Sequence, residues 1–116
     1  MKMDKQNKKE LTAAYKERKI TGGVYAIVNS TTGKMLILSA RDLQGSKNRF
    51  GFSQKTNGCM NLKLQDDWKK YGSDAFRFEV LEELTKKESQ TAEEFEEDIR
   101  TLHELWMEKL SDKDLY

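Results

Sequence analysis

From Gly23 the apolar residues run without a break through Val24-Tyr25-Ala26-Ile27-Val28, a β-branched and aromatic stretch that reads as a strand. The turn-rich Asn29-Ser30-Thr31-Thr32-Gly33 follows, then Met35-Leu36-Ile37-Leu38, so the spacing predicts two strands joined by a tight connection. Asp42 offers an N-cap to a short segment carrying Lys47, Arg49 and Phe52, whose helicity Gly45 and Gly51 weaken. Between Asn61 and Tyr71, the residues Leu64, Trp68 and Tyr71 recur at i, i+4 and i+7 with Gly72 just beyond, which predicts an amphipathic helix with a glycine stop. Phe76-Arg77-Phe78-Glu79-Val80 alternates apolar and polar, the pattern of a strand with one face in a core. A charged connection, Lys86 to Gln90, leads to a long helix from Thr91 to Leu110 with the stripe Phe95, Ile99, Leu102, Trp106 and Leu110. Ahead of all this, Leu11, Ala14, Tyr15 and Arg18 stand at helical spacing behind a Lys-rich tail.

Composition narrows the class. A chain of 116 residues supports one modest core, and its order of elements, β-β-α-α-β-α, makes it α/β in the α+β sense. There is no proline, repeat or low-complexity linker to divide it. No run of about eighteen apolar residues and no apolar leader occurs, so membrane and secretion are not expected and a cytoplasmic setting is the default. The lone Cys59 has no disulfide partner, and one histidine cannot complete a Cys/His zinc cluster, so Cys59 reads as a small half-buried residue. The net charge of +1 conceals a split: residues 1–80 hold 16 Lys and Arg against 8 Asp and Glu, whereas residues 81–116 hold 5 against 12. A basic first part suits contact with phosphates, and an acidic last part repels or mimics them.

The hairpin opening on Gly23-Val24-Tyr25 resembles the GIY-YIG endonuclease family. The second signature falls on Leu36-Ile37-Leu38, and Ser39-Ala40-Arg41-Asp42-Leu43 is similar to the family's continuation after it. Leu64-Gln65-Asp66-Asp67-Trp68-Lys69-Lys70-Tyr71-Gly72 and Phe76-Arg77-Phe78-Glu79-Val80-Leu81-Glu82-Glu83-Leu84 look like bacterial and phage members, and this second block is the more specific part. The resemblance implies a small three-stranded antiparallel sheet flanked by helices over residues 21–110, with a basic tail and short helix over 1–20 and a C-terminal tail over 111–116.

It also implies site roles. Phosphodiester hydrolysis needs an activated water, charge relief on the phosphate and usually a carboxylate-bound metal. Tyr25 matches the family tyrosine proposed to help activate water, and Arg49 the arginine that holds the phosphate, a task for which a planar guanidinium suits bidentate contact. Other positions depart. Leu36 stands for a tyrosine, Leu38 for a glycine, and Ser53 and Met60 for residues that are often histidine. Aligning the last helix by Trp106 and Leu110 puts His103 where the family has its metal-binding glutamate, with Glu104 a neighbour pointing roughly 100° away. Magnesium prefers oxygen ligands, so histidine is a poor exchange.

Taken alone, Tyr25 reads as a core-boundary ring, Arg49 as a solvated charge, His103 as a polar helix-flank residue and the run Glu93-Glu94-Glu96-Glu97-Asp98 as a solvated first turn. The expectation is therefore a nuclease-fold protein with cleavage impaired or lost and no cofactor, which binds nucleic acid through Arg41, Lys47, Arg49 and Lys55, or binds a protein partner. Two alternatives stand beside it. One is an active endonuclease using Mg or Mn; the other is a phage or mobile-element inhibitor or adaptor that presents the acidic helix to a protein.

Overall fold

A computed structural model describes residues 21–59 and 61–116. The N-terminal helix expected within residues 1–20, and Met60, lie outside the described residues. Strand β1 (Thr21–Asn29) is central, with β2 (Met35–Ala40) on one side and β3 (Phe76–Thr85) on the other, all antiparallel. Helices cover both faces, which is why β1 is an unbroken apolar run rather than an alternating one: both sets of its side chains are buried. The expected three-stranded antiparallel sheet flanked by helices is the architecture found.

Tyr25 and Ile27 face one side, joined by Leu36 from β2 and Phe76 from β3. Two helices close this side. The first, α1 (Leu43–Thr56), contributes Leu43 and Phe50; the second, α2 (Gln65–Tyr71), contributes Trp68, with Leu64 from the 3-10 turn Leu62–Leu64 before it. On the opposite side Val24, Ala26, Val28 and Ile37 pack under the long helix α3 (Ala92–Lys109).

Local chemistry explains most boundaries. α3 starts at a capping box, in which Thr91 accepts from the Glu94 backbone and Glu94 accepts from the Thr91 backbone, and it ends at Leu110. α2 stops at Gly72, whose φ of 86° a side chain would resist. Its expected first turn is 3-10 rather than α-helical, with Asn61 accepting from the Lys63 backbone at 2.9 Å.

Three elements differ from expectation. α1 runs for 14 residues despite two glycines, because Asp42 caps its start, Asn57 in the left-handed conformation caps its end, and Leu43, Ser46, Phe50 and Ser53 bury one side. Tertiary burial outweighs a propensity cost of about 1 kcal/mol per glycine. β3 continues past Val80 to Thr85: Tyr25 faces Val80 but Val24 faces Glu82, so Leu81 is the extra residue of a bulge that ends the alternation without ending the pairing. At that bulge Gly23 has a φ of 145°, and a Cβ there would sit 2.0 Å from the Glu82 carbonyl oxygen.

Residues 111–116, expected as a tail, are docked. The Met35 N–H donates to Asp114 at 3.0 Å and the Tyr116 N–H donates to Met35 at 2.8 Å, adding a short parallel bridge to β2. The Tyr116 hydroxyl donates to Asp67 Oδ2 at 2.7 Å and accepts from buried Asn29 Nδ2 at 3.1 Å. Burial, with the Asp67 carboxylate beside it, pushes this phenol up to about 12. Among the described residues, no helix is long and apolar enough to cross a membrane.

Candidate functional site

The end of β2 and the first turns of α1 meet the N-terminal half of α3 at an open cleft of about 510 Å³. Its lining comes from four places: Tyr25 from β1, Ser39 to Asp42 from the exit of β2, Ser46 and Arg49 from α1, and Glu96, Ile99 and Arg100 from α3. Gly22 makes this convergence feasible. A Cβ there would come within 2.6 to 2.8 Å of the Ala40 and Arg41 carbonyl oxygens and the Ile99 methyl, so the strand end and helix close up only over a bare backbone.

Tyr25 is almost wholly buried and stacks on Phe78 with ring centroids 4.5 Å apart, which fixes the ring while its edge lines the cleft. Burial raises its pKa, against the opposing pull of the Ser46 hydroxyl and the Arg49 guanidinium. At neutral pH Tyr25 is a phenol, a hydrogen-bond donor held beside a cation. Arg49 donates from Nη2 to Ser46 Oγ at 3.1 Å, one helical turn back, which steers its side chain along the cleft wall. Arg41 Nη1 lies 2.9 Å from Glu96 Oε1, tying the exit of β2 to α3. Both side chains are more than a third exposed, so water screens this pair and it contributes little stability.

The residues singled out from the sequence scatter over several surfaces. Tyr25, Arg41 and Arg49 share the cleft. Lys47 and Lys55 do not line it: Lys47 is two positions before Arg49, roughly 200° around the helix, and Lys55 is six positions after, at least 100° around. His103 is also outside the lining. It stands seven residues beyond Glu96, about 10 Å further along α3, with Nε2 3.0 Å from the Ile37 carbonyl oxygen, a bond that pins helix to sheet. The α3 carboxylate that reaches the cleft is Glu96. Glu104 is exposed, as its offset from the apolar stripe requires.

The altered second signature is likewise a matter of packing. Leu36 is 4% exposed in the α1-side core, and Leu38 sits opposite Tyr25 in the strand register, packed against the same cluster. Neither lines the cleft. Ser53 spends its hydroxyl on the Arg49 carbonyl at 3.0 Å. The acidic run is partly engaged as well, with Glu94 in the capping box, Glu96 on Arg41 and Asp98 accepting from Gln90.

Sequence reasoning passed over Ser46 and Arg100 and met Glu96 only as one member of the acidic run. Glu96 and Arg100 are i and i+4 on α3, on the face that also carries Ile99, and that periodicity was the available signal. Their distance from Tyr25 along the chain hid their meeting.

As a magnesium-type site the donor set does not fit. No group of three or more His, Cys, Asp or Glu able to hold a metal exists among the described residues. Of the two carboxylates in the cleft, Asp42 caps α1 through the Gly45 N–H at 3.2 Å and Glu96 is paired with Arg41. What the cleft offers is three guanidiniums, from Arg41, Arg49 and Arg100, around a phenol at the start of a helix, an arrangement complementary to a phosphate.

Comparison with known proteins bears on the fold. No protein-family model matches the chain, and no curated protein matches it. Among solved structures it is similar to the catalytic domain of the homing endonuclease I-TevI, at 24% identity and a TM-score of 0.60, over 82% of this chain and 95% of that one. A Glu-to-Ala mutant of the catalytic domain of the intron endonuclease I-TevI is similar at 22% identity and a TM-score of 0.61, over 84% and 92%. I-TevI is a GIY-YIG homing endonuclease, so the chain has a GIY-YIG-like fold.

Proposed function

We propose that this protein binds the phosphodiester backbone of a nucleic acid in the arginine-lined cleft, and that scission of the strand is impaired or lost. The observation that carries the reading is that Arg41, Arg49 and Arg100 line one cleft with the buried Tyr25, on a scaffold similar to a nuclease catalytic domain. A phosphate lodged there takes charge-assisted bonds from two or three arginines and a hydrogen bond from Tyr25. The Glu96–Arg41 pair opens at small cost because it is solvated, which frees Arg41 for the incoming anion.

The test is binding of short labelled DNA and RNA strands followed by fluorescence anisotropy across a salt series. Each of Arg49→Ala and Arg100→Ala is expected to weaken binding and to lower the slope of log affinity against log salt by about one. Unchanged affinity in both variants rules the cleft out as the phosphate site.

A second reading is favoured by one specific contact surface: Glu96 shares the cleft with Tyr25 and Arg49, so tyrosine, arginine and glutamate stand together there, although the sequence alignment had offered His103 instead. Under this reading the protein is a divalent-metal-dependent endonuclease. Supercoiled plasmid incubated with Mg²⁺ or Mn²⁺ decides between the two. Nicking that is lost in both Glu96→Gln and Tyr25→Phe establishes hydrolysis, whereas retained binding without nicking establishes the first reading.

A further inference from the structure

Helix α1 carries two phenylalanines two positions apart, and a helix sends such a pair to nearly opposite sides. Phe50 takes the core, at 4% exposed, so Phe52 is forced outward and stands 67% exposed. A solitary exposed ring is ordinary on a protein surface. The surroundings of this one are not generic. Phe52 lines a shallow cavity of about 410 Å³ together with Asn48, Arg49 and Ser53, and Arg49 also lines the larger cleft. Arg49 therefore borders both hollows.

The chemistry of the smaller hollow is mixed in a particular way. It has one open aromatic face, a flank formed by Arg49, which also lines the phosphate cleft, and the Asn48 amide, whose Oδ1 accepts from Gln44 Nε2 at 3.0 Å so that the amide plane is held and its NH₂ is directed elsewhere. A flat heteroaromatic ring with hydrogen-bonding edges suits this combination, stacking on Phe52 with an edge contact to Asn48 while its phosphate reaches Arg49 in the neighbouring cleft.

We infer that Phe52, Arg49 and Asn48 form a subsite for one unpaired nucleobase of the strand whose phosphate occupies the arginine cleft. This rests on the phosphate-binding reading above and adds the substrate class, which is single-stranded or locally unpaired nucleic acid. A base inside a duplex has both faces covered by its neighbours and has none to offer Phe52.

The experiment measures anisotropy with three labelled ligands of equal length: a single-stranded oligonucleotide, the same sugar-phosphate backbone carrying abasic sites, and a duplex. Phe52 is exposed and alanine is the better helix former, so Phe52→Ala keeps the fold. The variant is expected to lose roughly 5- to 100-fold in affinity for the single strand and none for the abasic backbone, with Phe52→Tyr restoring the loss. Arg100→Ala, which touches only the larger cleft, is expected to weaken the single strand and the abasic backbone alike. An unchanged single-strand affinity in Phe52→Ala, or an equal loss on the abasic backbone, overturns the base subsite while the phosphate cleft stands. Failure of the wild-type protein to bind any of the three ligands overturns both.

Discussion

On the α1 side of the sheet, rings hold rings: Tyr25 stacks on Phe78, Phe50 meets Trp68 edge-on at 6.2 Å, and Trp68 stacks on Phe76 at 4.9 Å. On the α3 side the sheet contributes aliphatic residues, and the helix buries the single ring Phe95 with Ile99, then is held further along by the half-buried Leu102, Trp106 and Leu110, by the His103 bond to Ile37 and by the Trp106 Nε1 bond to Glu82 at 2.8 Å. The cleft has one wall from each side. Tyr25 and Arg49 are set in the aromatic half, whereas Glu96 and Arg100 ride on α3 next to its buried Phe95 and Ile99.

The severest way to break this arrangement is to remove the backbone conformation that both halves share. Gly23→Ala meets a φ of 145° and the Glu82 carbonyl oxygen together, and the cost is expected to reach about 4 kcal/mol or more, seen as loss of a cooperative thermal transition. The comparison of the two faces is then sharpened by truncating one residue on each. Phe50→Ala is expected to cost about 3 to 5 kcal/mol and half-buried Leu102→Ala about 1 to 2, measured by urea unfolding; equal losses contradict the difference in packing.

Smaller effects follow at the docked C-terminal residues. Tyr116→Phe deprives Asn29 and Asp67 of a shared hydroxyl and is expected to cost about 1 kcal/mol. The phenol is raised from 10.0 to about 12 in the folded protein, so its contribution is complete below pH 10 and disappears as the pH rises through 12. Tyr25 is shifted in the same direction. The variant should therefore lose less stability than the wild type between those pH values, as followed by chemical unfolding at each pH. The smallest effect is expected at His103→Ala, about 1 kcal/mol of stability from its bond to Ile37, with nucleic-acid affinity unchanged. A marked fall in affinity instead would return His103 to the site.

Much of the fold was legible because it is written locally. The hairpin, the start and the stripe of α3 and the glycine after α2 are all short-range patterns, and each was found within a residue or two of its expected place. The glycines of α1 misled because propensity is weak beside burial, and the bulge at Leu81 was invisible because it depends on what Gly23 does in another strand. The site divided in the same manner. Tyr25 and Arg49 are marked by motif and do line one cleft, but which α3 residue reaches it depends on the helix's register along the sheet, and a helix repeats its face every seven residues. His103 and Glu96 differ by that interval.

The sequence by itself determined which segments are strands and helices and which of their sides are apolar, because alternation and helical period are properties of neighbours. Only the tertiary structure decided that Arg41, Arg49 and Arg100 share a hollow while Lys47 and Lys55 do not, and that Glu96 rather than His103 lines the cleft with Tyr25. Those outcomes depend on how far α3 slides along the sheet before its apolar stripe locks. That position is set by the bare backbone at Gly22 and by packing between residues more than seventy positions apart.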